Sequence, residues 1–222
     1  MAPMTDGVLL VDKPAGMTSF GVVARVRRVL SEKVGKKVKV GHTGTLDPFA
    51  TGLMILVIGN ECKRASVYTK LDKIYEATFV LGQESTTGDP EGELTTISDR
   101  VPSEDEIREV LTHFVGEIRQ RPPIFSAIKI DGQRAYKLAR DGQEIEMPER
   151  TVQIYSLEVL GYSYPELHVR VHVSSGTYIR SLAVDVGRVL GTGAYVSVLR
   201  RTQIDQWSLA ESQQLADFGI DS

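Results

Sequence analysis

A single cysteine, Cys62, stands in the whole chain. That excludes an intrachain disulfide and fits a reducing cytosol. Long hydrophobic runs are also missing. None approaches the ~20 residues that cross a bilayer, and the first residues show no basic stretch followed by an apolar one, so no signal peptide is visible. The expected location is the cytoplasm, with no membrane. Internal repeats and low-complexity tracts are absent. An overall basic excess is absent too: net charge is −3 and the isoelectric point lies near 5.9, which fails the usual criterion for a nucleic-acid-binding domain.

What is present is ordinary in amount and uneven in placement. At 222 residues, 41% hydrophobic and 25% charged, the chain can bury the core of one large domain. Segment 25–39 sets Arg25, Arg27, Arg28, Lys33, Lys36, Lys37 and Lys39 against Glu32 alone, a local charge of +6. Segment 84–109 holds nine acids against Arg100 and Arg108, and the last eighteen residues hold four acids and no Lys or Arg. A basic stripe on an acidic protein suits a polyanion bound on one face. From charge alone, a solvated helix face is the preferred reading.

The patterning predicts an α+β fold with a mixed, mostly antiparallel central sheet flanked by helices. Gly7–Val11 reads as a strand, and Thr18 or Ser19 as the cap of a helix burying Val22, Val23, Val26 and Leu30. Leu53–Ile58 reads as a buried strand, and Tyr75–Leu81 as one with Tyr75, Ala77, Phe79 and Leu81 on one side. Ser103 with Glu106 predicts a capping box and a helix stopped by Gly116. Strands are expected at 151–159, 167–173 and 194–199, with a helix after Thr177. Segment 119–150, with its arginines, Pro122-Pro123 and Asp-Gly pairs at 131 and 141, reads as a basic insertion of hairpin and short helix. The expectation is thus one catalytic domain over 1–222, the insertion at 119–150, and a short acidic tail at 203–222 in place of a further domain.

Several chemistries are excluded by spacing. His168 and His172 on a strand would lie ~13 Å apart, too far for one metal ion. Gly41-His42-Thr43-Gly44-Thr45 lacks the Lys-Ser/Thr pair of a phosphate loop, and Asp47 would repel phosphate. No Gly-x-Ser-x-Gly is present, and Cys62 sits in no recognised nucleophile context. What remains is Asp47, held before Pro48 in extended geometry between Gly44 and Gly52, with an apolar strand following. Local physics leaves two readings open, an Asx-turn aspartate and a carboxylate fixed for chemistry, and favours the turn.

The surrounding motifs add a resemblance. Gly41-His42-Thr43-Gly44-Thr45-Leu46-Asp47-Pro48-x-Ala50-x-Gly52-Leu53 resembles the catalytic motif of the TruB family of tRNA pseudouridine synthases. Val11–Ser19 is similar to its N-terminal motif, and Lys73-x-Tyr75-x-Ala77 to its tyrosine motif. Arg121-Pro122-Pro123 through Arg140 is similar to the segment that enters the tRNA T arm. Ser174–Leu182 and Leu199–Thr202 resemble the arginine motif and the end of the catalytic domain. The resemblance covers about residues 7–202, in order.

It implies a pseudouridine synthase fold and an isomerase that detaches uracil from ribose at N1, rotates it, and rejoins it through C5, with no metal and no cofactor. Asp47 would be the essential carboxylate, attacking C1′ or abstracting a ribose proton. Arg180 would be its cationic partner and Tyr75 would lie against the flipped base, completing a catalytic set of three. His42, Tyr178 and Leu199 would bind the substrate alongside Tyr75. Arg121, Lys129, Arg134 and Arg140 would contact RNA, while Lys13, Pro14, Gly44 and Gly52 would support the site. The implied substrate is uridine 55 in the T loop of tRNA, flipped out at a cost of a few kcal/mol, and the implied state is a monomer.

The chain departs from the family pattern in places. Val173 stands where many relatives have Cys, Glu61-Cys62-Lys63 replaces the commoner Ala-Thr-Lys, and Asp205 sits where glycine is usual. Two other readings use the same fold: an RNA-folding chaperone, and the catalytic subunit of a guide-RNA-dependent complex.

Overall fold

The computed structural model describes residues 4–126, 128–130, 133–134 and 147–220. In chain order the elements are β1 (Gly7–Lys13), α1 (Ser19–Val34), β2 (Val40–His42), β3 (Thr51–Ile58), α2 (Ala65–Thr69), β4 (Lys73–Leu81), β5 (Gln83–Ser85) and β6 (Leu94–Thr96). Then come α3 (Glu104–Thr112), β7 (Gly116–Gln120), β8 (Lys129–Ile130), β9 (Gln133–Arg134), β10 (Arg150–Ser163) and β11 (Glu166–Val173). They are followed by α4 (Ile179–Leu190), β12 (Ala194–Ile204), β13 (Trp207–Ser208) and β14 (Gln213–Gln214). The chain forms two compact units, Met1–Glu76 with Leu199–Ser222, and Ala77–Val198. Strands β4 and β12 each start in one unit and end in the other.

In the first unit the strand order is β14-β1-β3-β12, with β2 beside β3 and β13 beside β12. β1 runs antiparallel to β3, from Gly7 opposite Ile58 to Lys13 opposite Gly52. β3 runs parallel to β12. Every residue of β3 after Thr51 is buried, as a central strand covered on both faces requires. Leu53, Ile55 and Val57 pack with Tyr68, Ile204 and Trp207 on one face. Thr18 caps α1, its hydroxyl accepting from the Gly21 N–H at 3.0 Å, and Val22, Val23, Val26 and Leu30 are buried as the spacing predicts.

The second unit carries the order β4-β11-β10-β7, with β10 antiparallel to both β11 and β7. Leu167, Val169, Val171 and Val173 of β11 are all buried, so Val173 is a core residue. Ser103 and Glu106 make the expected capping box of α3. That helix ends at Thr112 and is capped by His113, so Gly116 does not stop it. Gly116, at φ +113°, opens β7, a strand lying where the sequence suggests the start of the insertion. The antiparallel pairing of β8 with β9 brackets Asp131-Gly132. That pair, Asp141-Gly142 and the expected short helix lie outside the described residues.

Two further observations refine the expectations. β12 continues five residues past Leu199, so Arg200 and Arg201 belong to a strand. Asp205 holds φ +48°, the left-handed region, and is the one non-glycine residue with positive φ among those described. That geometry accounts for the glycine usual at this position.

Candidate active site

Residues 43–50 form the loop between β2 and β3, and Thr43, Gly44, Leu46 and Pro48 are each tied through their backbone to a neighbouring element. Thr43 donates its N–H to the Ile55 carbonyl at 3.2 Å. The buried Ser19 hydroxyl, one residue past the cap of α1, donates to the Leu46 carbonyl at 2.9 Å and accepts from the Leu46 N–H at 2.8 Å. The Asp47 carbonyl accepts from the Ala50 N–H at 3.2 Å. The Pro48 carbonyl accepts from the Gly16 N–H at 2.9 Å and from Lys13 Nζ at 3.1 Å. Lys13 is fully buried and also donates to the carbonyls of Pro14, at 2.8 Å, and Met17, at 2.6 Å. It thereby clamps the turn after β1 to the loop. Asp47 itself is half-buried.

The other side of the loop rests on Arg201. This guanidinium, 1% exposed, donates from Nε to the Leu53 carbonyl at 2.7 Å and from Nη2 to the Gly44 carbonyl at 3.1 Å. A Cβ on Gly44 would sit 3.4 Å from Arg201 Nη1, so the glycine admits the guanidinium. Gly44 is not among the residues with positive φ, and a sharp turn is not its role. Gly52 combines φ +108° with the approach of β12: a Cβ there would lie 2.3 Å from the Arg201 carbonyl oxygen. The Arg201 guanidinium carbon also lies 6.0 Å from the ring centroid of Tyr75, within reach of a cation–π contact. One buried cation therefore fixes the loop of Asp47 and faces the ring of Tyr75. Nearby, Lys73 donates to the Thr69 carbonyl at 2.7 Å and to the Leu71 carbonyl. Burial, and then the charge of Arg201, pull its pKa from 10.5 down to about 8. His42 ends β2 opposite Leu56, and Leu199 is buried in β12.

In the second unit Arg180 lies in the first turn of α4 and is buried. Its Nη1 donates to Asp89 Oδ2 at 2.9 Å and to the Thr87 carbonyl at 3.0 Å, and its Nη2 donates to the Phe125 carbonyl at 2.8 Å. Asp89 is itself buried, and Thr87 Oγ1 donates to its other oxygen at 2.6 Å. Tyr178 caps the same helix without a side-chain bond. Its peptide is gripped on both sides by the buried Gln120, N–H to Oε1 at 2.8 Å and carbonyl from Nε2 at 3.0 Å. The Arg150 guanidinium lies 5.3 Å from the Tyr178 ring. Ser181 Oγ donates to the Arg121 carbonyl at 2.8 Å, so the root of the insertion is laced to the start of α4. A cavity of about 770 Å³ opens there, lined by Thr87, Arg121, Pro123, Phe125, Arg180 and Arg188 among others.

Sequence reasoning passed over three of these residues. Asp89, in Gly88-Asp89-Pro90, has the same proline-following context that drew notice to Asp47. Gln120 and Arg201 carry a weaker signal, a polar side chain at the end of an apolar or alternating strand. Of the expected RNA contacts, Arg121 is exposed and lies 3.6 Å from Glu149. Lys129 and Arg134 face one another in the β8–β9 register, and Arg140 lies outside the described residues.

A family model, TruB family pseudouridylate synthase (N terminal domain), matches residues 27–179. The chain belongs to the TruB family. It is 45% identical to the tRNA pseudouridine synthase B of Aromatoleum aromaticum over 96% of this chain and 67% of that protein. It is likewise 45% identical to the protein of that name from Opitutus terrae over 95% of this chain and 86% of that one. Among solved structures, a chain of a Cbf5-Nop10-Gar1 complex superposes with a TM-score of 0.72 and 32% identity, covering 96% of this chain and 53% of that chain. A chain of an H/ACA RNP bound to a substrate RNA containing 2'-deoxyuridine gives 0.69 and 30%, covering 95% and 51%. The TruB-family chain thus spans about half the length of these solved chains. Its α+β fold, with a mixed sheet flanked by helices, is that of a pseudouridine synthase, and the protein is an isomerase. No described helix is long and apolar enough to cross a membrane.

Proposed function

We propose that this enzyme converts uridine to pseudouridine at position 55 in the T loop of tRNA, with Asp47 as the essential carboxylate. The observation that carries the reading is the fastening of the Asp47 loop. Lys13, Ser19 and Arg201 approach it from three elements, so the backbone that carries its carboxylate is fastened on three sides. Preorganisation of this kind removes reorganisation cost from the reacting step. The relatives named tRNA pseudouridine synthase B supply the substrate class.

In the proposed reaction the N1–C1′ bond breaks, the base turns, and C5–C1′ forms. The C5 proton leaves to solvent and N1 regains a proton. Asp47 assists by attack at C1′ or by removing a ribose proton. Tyr75 is assigned to the flipped base, with His42, Tyr178 and Leu199 as further substrate contacts. Arg180, immobilised by Asp89 and two carbonyls, is the cation assigned to the reaction. Arg121, Lys129, Arg134 and Arg140 are assigned to the RNA backbone.

The test is tritium release from C5-labelled uridine in an unmodified T-arm stem-loop, without guide RNA. Wild type is expected to release tritium from position 55. Asp47→Asn is expected to bind the RNA and release none, and full activity of Asp47→Asn would overturn the mechanism. The likeness to a chain of an H/ACA RNP bound to a substrate RNA favours a second reading, the catalytic subunit of a guide-RNA-dependent complex, which would leave the free stem-loop unmodified. A chaperone would bind tRNA and release no tritium from any tRNA.

A further inference from the structure

We propose that the outer face of α1 and the turn that follows it form a second RNA-binding surface, which takes the phosphates of the RNA helix adjoining the target loop. The proposal rests on the RNA-modifying reading above. Arg25, Arg28, Lys33, Lys36, Lys37 and Lys39 are all exposed, with Glu32 the only acid among them. None of the six makes an ion pair among the described residues. Other surface arginines do: Arg64 with Glu61, Arg100 with Glu106, Arg108 with Glu104 and Arg119 with Glu149. Lys33 has a local use at the C-terminal end of α1, where a cation complements the helix dipole. Arg25 makes one long bond to the Gly21 carbonyl, at 3.4 Å, and the mutual repulsion of the cations opposes the folded state until a polyanion relieves it.

Position supports the same assignment. α1 is about 24 Å long at ~1.5 Å per residue, and its first residue, Ser19, is the one that holds Leu46 beside Asp47. At its far end the turn folds back, the Val38 N–H donating to Ser31 Oγ at 3.0 Å. Lys39 then leads through β2 to His42 and the loop itself. The stripe therefore begins and ends at the candidate catalytic loop. At its head stands Phe20, 66% exposed, the most exposed large hydrophobic residue among those described. An aromatic face beside a run of cations is the arrangement that stacks an unpaired base while tracking a backbone.

The experiment uses a triple variant, Lys36→Gln with Lys37→Gln and Lys39→Gln, and Phe20→Ala separately, each checked for folding by circular dichroism. KM, kcat and filter-binding Kd are measured on the T-arm stem-loop and on unmodified full-length tRNA across a salt series. The triple variant is expected to raise KM and Kd at least tenfold on both RNAs, with kcat within twofold of wild type. The slope of log Kd against log salt should fall by about 2–3, at ~0.7–0.9 for each of three lost phosphate contacts. Phe20→Ala should raise KM without changing that slope. Arg108→Gln, a paired surface arginine elsewhere, should change neither. Unchanged Kd and slope in the triple variant would overturn the proposal, as would a defect confined to full-length tRNA. Because Kd is read independently of turnover, a wild-type protein that bound RNA without modifying it would refute the proposed reaction and still test this surface.

Discussion

A buried cation is tolerable only where oxygen surrounds it. Lys13, Lys73 and Arg201 obey this through carbonyl groups, and each converts its own burial into a fixed position for backbone near Asp47 or Tyr75. Lys73 carries a measurable consequence. Its folded-state pKa, about 8, lies below the 10.5 of the unfolded chain. Between those values the unfolded state binds more protons, so stability should rise with pH across that window, by at most ~1.4 kcal/mol per pH unit. Below about pH 8 the penalty is fully present and constant. Denaturant titrations at pH 7 to 10 should show this rise in wild type and its loss in Lys73→Met. Asp47 was conspicuous in the sequence because glycine and proline restrict the backbone around it locally. Arg201 was not, because its burial depends on Gly44 and Leu53, which lie far away along the chain. An arginine after an apolar strand looks like the strand's end until the partner strand is known.

At the scale of elements, the decisive join is between β3 and β12. Arg201 pairs with Gly52 in register, and the same Arg201 sends its side chain to Gly44. Gly52→Ala would place a methyl group 2.3 Å from a carbonyl oxygen in a backbone conformation that alanine resists. The strands would have to part. The expected loss is about 3 kcal/mol or more of stability, read by chemical denaturation. Tritium release should also fall at least tenfold at a temperature where the variant remains folded. Elements with strong local signals were readable: the capped α1, the capping box of α3, and the alternating β4 and β11. β7 was not, because Gly116–Gln120 has a weak apolar pattern and becomes a strand by pairing with β10. The insertion's attachment through Gln120 and Ser181 was hidden for the same reason, since both bonds join segments about sixty residues apart.

At the scale of the molecule, the C-terminal residues 205–220 are built into the first unit. β14 pairs parallel with β1, Gln214 Nε2 donates to Asp12 Oδ2 at 3.0 Å, and Leu215, Phe218 and Ile220 are buried. Composition alone, acidic and without Lys or Arg, suggested a tail, because Trp207, Leu209, Leu215, Phe218 and Ile220 are spaced with no helical or strand period. Phe218→Ala should cost about 3 kcal/mol, lowering Tm by roughly 6–12 °C in a protein of this size, as differential scanning calorimetry would show. The clamp on the Asp47 loop has a further consequence, one of timing. The chain is made from its N-terminus, and the arginine that holds Gly44 comes 157 residues after it. Until that arginine is made, the growing chain carries the aspartate with Lys13 and Ser19 at hand but without the third hold. The three holds on the Asp47 loop are complete only when the strand bearing Arg201 has taken its place beside β3.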